Sequence, residues 1–160
     1  MLIQDFVYVD APIDVVRRRL EAGADVWLTP LAARAGAGWQ TQRIRIGPAG
    51  DIPLLSRVTR VRVGRLDERG ETLIVPITWQ ADSLSAAFPV LHADLEVVAL
   101  SESATQLTLM GRYDPPLGAL GQRLDRLLLH RIAQASVRAF LEGVGAALEA
   151  PLRVHTAEER

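Results

Sequence analysis

Thr105-Gln106-Leu107-Thr108-Leu109-Met110-Gly111-Arg112-Tyr113-Asp114-Pro115-Pro116 is the stretch on which the fold turns. Leu107, Leu109, Gly111 and Tyr113 alternate with Thr108 and Arg112, the period of two of a strand with one apolar face. Asp114-Pro115-Pro116 ends that strand, because proline cannot donate to a sheet ladder, and proline suits the first turn of a helix. Downstream, Leu117 to Glu149 carries helical periodicity and is closed by Ala150-Pro151, which predicts one long helix. Leu117, Leu120, Leu124, Leu127, Leu128 and Ala135 form one apolar stripe on it. Val137, Leu141, Val144 and Leu148 form another, rotated by more than a quarter turn. Such a helix is expected to be covered on two sides, by a sheet and by either short helices or a second copy of the chain.

Upstream of this stretch the period of two recurs. Gln40 to Ile46, Thr59 to Val63, Thr72 to Gln80 and His92 to Leu100 read as strands, separated by Gly47-Pro48-Ala49-Gly50, Asp67-Glu68-Arg69-Gly70 and the Pro89 region. Ser83 to Leu91 reads as a further short strand confined by Pro89 to an edge or an end. Sequential strands with short links predict an antiparallel meander rather than parallel βαβ units. At the start, Ile3 to Val9 is a strand, followed by Asp10-Ala11-Pro12 as a helix start with Asp10 as its cap. Val15, Val16 and Leu20 share one side of that helix, Arg17, Arg18 and Arg19 are placed on its exposed side, and Gly23 ends it. A second short helix around Asp25 to Leu31 carries Trp27, and Ala35-Gly36-Ala37-Gly38 is a joint. The expected fold class is therefore α+β: a curved antiparallel sheet of six or seven strands wrapped around the last helix, with two short helices after the first strand. Residues 1–150 form one domain, and 151–160 is a polar tail.

The chain has 160 residues and a net charge of -1 from 18 basic and 19 acidic side chains. All the basic residues are arginine, and lysine, asparagine and cysteine are absent. These absences exclude a Schiff-base or P-loop lysine, a thiol nucleophile, a disulfide and a thiolate zinc or iron–sulfur site. Near-neutral charge gives no field to gather nucleic acid, and no apolar run is long enough for membrane insertion. With no leader pattern at the N-terminus, the expected compartment is the cytoplasm. No cofactor is expected. His92, His130 and His155 have no ligand partners at metal-binding spacing, and there is no Gly-x-Ser-x-Gly elbow, so no metal is expected and no catalytic residue can be assigned.

Three segments resemble the helix-grip superfamily, which includes START-like, birch-pollen-allergen-like, polyketide cyclase and lipid-transport proteins. Val7-Tyr8-Val9-Asp10-Ala11-Pro12-Ile13-Asp14-Val15-Val16 resembles its first strand running into the first helix. Phe88 to Glu96, and Leu109 to Gly118 leading into Leu127 to Leu141, are similar to its strand-to-helix junctions. The resemblance covers about Leu2 to Glu149. It implies a ligand cavity between sheet and C-terminal helix, and it marks structure rather than a reaction, since one fold hosts many functions.

On that plan Leu95, Val97 and Ala99, and Leu107, Leu109, Gly111 and Tyr113, point inward from neighbouring strands, as does Trp79 with Leu73, Val75 and Ile77. Val61, Val63, Thr59, Gln42, Ile44 and Ile46 continue the inner face. From the helix, Leu124, Leu127, Leu128 and Arg131 face the same space. Together Trp79, Leu95, Val97, Leu107, Leu109, Tyr113, Leu124, Leu127, Leu128 and Arg131 are the candidate ligand-binding residues, suited to an apolar ligand with a few polar contacts. Each has a plainer alternative. The aliphatic residues could fill a dry core, Tyr113 and Trp79 could satisfy backbone carbonyls, and Arg131 must reach solvent or find an acceptor. Arg43, Arg45, Arg60 and Arg62 alternate on the other face, either as a docking surface for an acidic partner or as a solvated face balanced by Asp67, Glu68, Asp94 and Glu96. Gly118 and Gly121 carry only a weak anion-binding pattern.

The leading functional expectation is binding or transport of a small hydrophobic ligand such as a lipid, a polyketide or an isoprenoid-like molecule. The alternatives are a polyketide cyclase or aromatase-type enzyme and a dimeric interaction protein that pairs through the long helix.

Overall fold

The computed structural model describes residues 2–24, 26–28, 42–46, 57–81, 90–113 and 126–150. In chain order these form β1 (Leu2–Val9), α1 (Ile13–Glu21), β2 (Gln42–Ile46), β3 (Arg57–Val63), β4 (Asp67–Arg69), β5 (Thr72–Ala81), β6 (Leu91–Ala99), β7 (Thr105–Tyr113) and the C-terminal helix (Arg126–Glu149). Residues 24 and 26–28 are also helical, so a second short helical segment follows α1. The strands make one antiparallel sheet of order β1-β7-β6-β5-β3-β2, with β4 pairing β5 beside that path. The first strand thus lies beside the last, while β2 lies at the opposite edge. The C-terminal helix packs mainly on β1, with further contacts to β7 and β2. This is the expected α+β plan of sheet, short helices and final helix.

Local chemistry explains the strand boundaries. Asp67-Glu68-Arg69-Gly70 was expected as a turn alone, but 67–69 pair with Thr72 to Ile74 as β4, and only the Gly70 region turns. Gly70 has φ +63, the left-handed region that glycine occupies without penalty, so the turn is tighter than the polar run suggested. Pro76 sits inside β5, where a missing N–H would ordinarily break a ladder. Its carbonyl accepts from Gly64 N–H at 2.7 Å, so its nitrogen faces the break between β3 and β4. A Cβ on Gly64 would lie 3.0 Å from that of Pro76, so the crossing is close.

Two expectations about α1 are corrected. Asp10 does not cap it: the N-cap is Pro12, with no side-chain cap bond, and the Pro12 carbonyl accepts from Val15 and Val16 N–H. The Asp10 N–H instead donates to Glu149 Oε1 at 2.8 Å. Arg19 is not on the exposed side; it is buried, and its guanidinium reaches the carbonyls of Leu148 and, at 3.4 Å, Ala147. Arg17 pairs with Glu68, which ties α1 to β4. At the same end of the sheet the buried Thr105 hydroxyl donates to the Ala11 carbonyl at 2.7 Å. The expected strand at 83–91 falls outside the described residues except at its end, as do the joint at 35–38, residues 117–125 of the expected helix, and the tail.

Candidate functional site

Alternation along the strands gives the sheet one apolar face. Ile3, Val7 and Val9 on β1, Leu73, Val75, Ile77 and Trp79 on β5, Leu91, Ala93, Leu95 and Val97 on β6, and Leu107, Leu109 and Tyr113 on β7 are all buried. They meet Val137, Phe140, Leu141, Val144 and Leu148 of the C-terminal helix and Trp27 and Leu28 of the short helical segment in one apolar cluster. Burial of these surfaces from water is what holds the layers together.

The cluster is not uniform along its length. At the α1 end, Val9, Val97, Leu107, Leu141, Val144 and Leu148 are wholly enclosed, and the helix carries a buried residue on nearly every turn from Ser136 to Leu148. Toward the other end the inner row becomes Trp79, Leu91 and Tyr113, which the register sets side by side. One step inward Ala93 lies opposite Gly111, between the buried Ile77 and Ile3. A Cβ on Gly111 would sit 2.6 Å from that of Ala93, so no side chain fits at position 111. Ala93 and Trp79 keep 8% exposure although they face the helix side. Among the described side chains at positions 130–135 of the helix none is fully buried. The sheet's inner face is thus buried at both ends, while the helix is buried along its second half and less so at 130–135.

The candidate residues differ in placement. Leu95, Val97, Leu107 and Leu109 are enclosed, whereas Ala99, expected in the same inward row, is exposed where β6 ends. Trp79 and Tyr113 lie in the outer row, and Trp79 meets Phe140 edge to face with ring centroids 5.3 Å apart. Leu124 is outside the described residues; Leu127 and Leu128 lie on the helix, but their side chains are outside them too. Arg131 is exposed, so its charge takes the solvent route. Burial holds the Tyr113 hydroxyl above the ordinary tyrosine pKa, which keeps it neutral.

Three interior groups did not figure among the candidates. Phe140 is legible afterwards, since it falls on the stripe of Val137, Leu141 and Val144. Trp27 is 1% exposed, and its indole Nε1 has no hydrogen-bond partner. His130, seven residues before Val137 and hence on its side of the helix, buries an Nδ1 that also lacks a partner. No local sequence pattern announces an orphaned donor. Among the described residues no three histidine or carboxylate side chains gather as a metal site.

On the opposite face the register aligns Arg62, Thr78, His92 and Arg112 in one row and sets Arg43 opposite Arg60. Arg62 and Arg112 are exposed. Asp94 and Glu96 share this face, so charges of both signs are present.

No protein-family model matches the chain, and no curated protein matches its sequence. Solved structures do. A START superfamily protein from Mycobacterium smegmatis superposes with TM-score 0.54 at 16% identity, covering 92% of this chain and 94% of that one. The Zhui aromatase/cyclase from a Streptomyces species gives TM-score 0.53 at 16% identity over 96% of both chains. Norcoclaurine synthase from Thalictrum flavum, solved with dopamine and hydroxybenzaldehyde, gives 0.52 at 12% identity over 91% of this chain and 84% of that one. At such identities the likeness is one of fold: the chain has the helix-grip architecture.

Proposed function

We propose that the protein binds a small hydrophobic molecule between the sheet and the first half of the C-terminal helix, and carries or senses it in the cytoplasm. The observation that carries this reading is the contrast between the buried apolar row Trp79, Leu91 and Tyr113 on the sheet and the described helix positions at 130–135, none of which is fully buried. An interior built only for stability would be close-packed throughout, and Ala93 opposite Gly111 leaves little side-chain volume on the sheet next to that row. A mostly apolar wall with Tyr113 and Trp79 at its rim suits an apolar ligand with limited polar contact. No helix among the described residues is long and apolar enough to cross a membrane. The test is titration with Nile red, a neutral dye that brightens in apolar surroundings, followed by the variant Ala93→Leu. Saturable binding that weakens in a variant of unchanged fold supports the reading; absence of binding overturns it.

A cyclase-type activity is the second reading. It is favoured by one observation: Tyr113 sets a hydroxyl-bearing side chain among the buried apolar residues of the inner face, where a proton donor to a bound substrate would stand. Turnover of a poly-β-ketone surrogate that Tyr113→Phe abolishes, with dye binding retained, would establish it.

A further inference from the structure

We propose that the free edge of β1 at Tyr8, together with the groove beside it, is a docking site for an extended basic peptide segment of a partner protein. The site is separate from the interior between sheet and helix and does not depend on what is bound there. β1 pairs only with β7, so its other side is a sheet edge. Along an antiparallel strand, successive residues direct their N–H and C=O alternately toward the partner strand and away from it. Phe6 directs both away: its N–H donates to Asp5 Oδ1 at 2.8 Å, and its carbonyl accepts from Arg138 at 3.1 Å. Asp10 has the same parity, and its N–H donates to Glu149 Oε1 at 2.8 Å. Tyr8 lies midway between them, so its N–H and C=O also face the open edge, and among the described residues nothing bonds them. Arg138 and Glu149 thus close the edge on either side of Tyr8 and leave the pairing of one residue open.

The groove beside this gap has a volume of about 500 Å³, and the helix lines it with Arg138, Glu142, Gly145, Ala146 and Glu149. From Glu142 onward these residues follow the spacing i, i+3, i+4 and i+7, so they share one helix face, with Gly145 and Ala146 as a low floor between two carboxylates. A Cβ on Gly145 would stand 3.5 Å from Val9 and 3.6 Å from Val7, which sets that floor against the inward residues on either side of Tyr8. In a strand added antiparallel at Tyr8, the residue that exchanges both hydrogen bonds with it puts its side chain on the outer face. There it meets the exposed rings of Tyr8 and Phe6, whose centroids are 5.5 Å apart. The residues before and after it point to the helix side, about 7 Å from each other, over Gly145 and Ala146. Glu142 and Glu149 bracket that floor, about 10 Å apart along the helix, within reach of two long cationic side chains. The one guanidinium of the groove is already engaged: Arg138 donates to Glu142 at 2.8 Å and lies 3.4 Å from Asp5. Three carboxylates stand against it, so the groove favours positive charge. The segment that fits is a short strand with a basic residue on each side of its central residue.

The experiment titrates the ¹⁵N-labelled full chain with an acetylated, amidated pentapeptide of sequence Ala-Arg-Val-Arg-Ala and follows the Tyr8 backbone amide. That resonance should move and saturate. The same peptide methylated on its valine nitrogen cannot donate to the Tyr8 carbonyl, and it should bind about tenfold more weakly. An Ala-Glu-Val-Glu-Ala peptide should also bind about tenfold more weakly, because its charges meet like charges. These comparisons use the parent protein and need no variant to fold. In Glu142→Gln combined with Glu149→Gln, which keeps an acceptor oxygen for Arg138 and for the Asp10 N–H, the basic and acidic peptides should bind within about twofold of each other. A Tyr8 amide that ignores the basic peptide, equal binding of the methylated or the acidic peptide, or a basic preference that survives the double variant overturns the proposal. So does a Tyr8 amide that moves with protein concentration alone, which would assign the edge to a second copy of the chain.

Discussion

The Arg19 guanidinium, carried on α1, donates to the carbonyl of Leu148 in the last turn of the C-terminal helix. The carbonyls of a final helical turn have no partners within the helix, and the helix dipole places negative potential there. Arg19 answers both needs from an element far away in sequence. Its burial, at 7% exposure, makes the contact a clamp between the two ends of the chain rather than a surface pairing.

Substituting Arg19→Met should lower unfolding free energy by about 1–3 kcal/mol, the range for leaving buried acceptors unpaired. Arg18→Met, on the exposed side of the same helix, should change it by less than about 0.5 kcal/mol. Urea denaturation of the two variants checks this; equal effects would remove the clamp from the account.

Arg138 guards a sheet edge. It bonds the Phe6 carbonyl while Asp5 Oδ1 takes the Phe6 N–H at 2.8 Å, so the middle of the free edge of β1 is occupied by side chains. Beside it lies an open groove of about 500 Å³ between β1 and the helix, and Leu2, Phe6 and Tyr8 are exposed on the strand. An unguarded edge with apolar side chains invites pairing with another chain. Arg138→Ala should leave the melting temperature nearly unchanged and increase self-association relative to the parent. Sedimentation velocity over a concentration series reads this directly, and an unchanged distribution would show that the edge needs no guard.

Two glycines should respond in opposite directions to the same change. At Gly111 a new Cβ meets the His92 carbonyl oxygen at 2.7 Å as well as Ala93, so Gly111→Ala forces backbone apart and should cost about 1–3 kcal/mol. At Gly145, inside the helix, a new Cβ meets only Val7 and Val9 methyls at 3.5–3.6 Å, ordinary contact. Gly145→Ala should therefore stabilise by about 0.5–1 kcal/mol through reduced backbone freedom in the unfolded chain. Thermal unfolding of both variants tests the pair, and a loss at Gly145 would mean that the helix stands closer to β1 than described.

What the sequence made legible follows from how local each cause is. The inner rows of β5, β6 and β7 were readable from alternation alone, because one buried face imposes period two on every strand. The final helix was readable from its wheel. Arg19 was misplaced because an arginine on an amphipathic helix reads as solvent-facing, and its true partner, a helix end 129 positions away, leaves no trace in the local pattern. β4 was hidden inside a polar run for a related reason: a three-residue strand exposed on both faces has no hydrophobic signature. Parity put Trp79 and Tyr113 on the inner face, where they are buried, whereas the orphaned Trp27 nitrogen is a property of packing in three dimensions. Arg131 shows the limit of a wheel drawn on a helix whose cover was unknown.

Tyr113 gives a prediction in pH. Its folded-state pKa is raised by desolvation above the ordinary value of 10.0. The folded protein therefore resists losing that proton, while the unfolded chain loses it near the ordinary value. Below that value both states hold the proton and the stability from burying the neutral ring is complete. As pH climbs past it the unfolded state ionises first and gains, so stability declines until the folded-state pKa is passed. The chain has no lysine or cysteine, so the alkaline range is free of their titration and the effect stands out. Urea midpoints between pH 8 and pH 11 should fall more steeply in the parent than in Tyr113→Phe, whose ring cannot ionise. If the two profiles run parallel, the hydroxyl is not desolvated in the folded protein, and the neutral proton donor invoked for a cyclase-type reaction loses its basis.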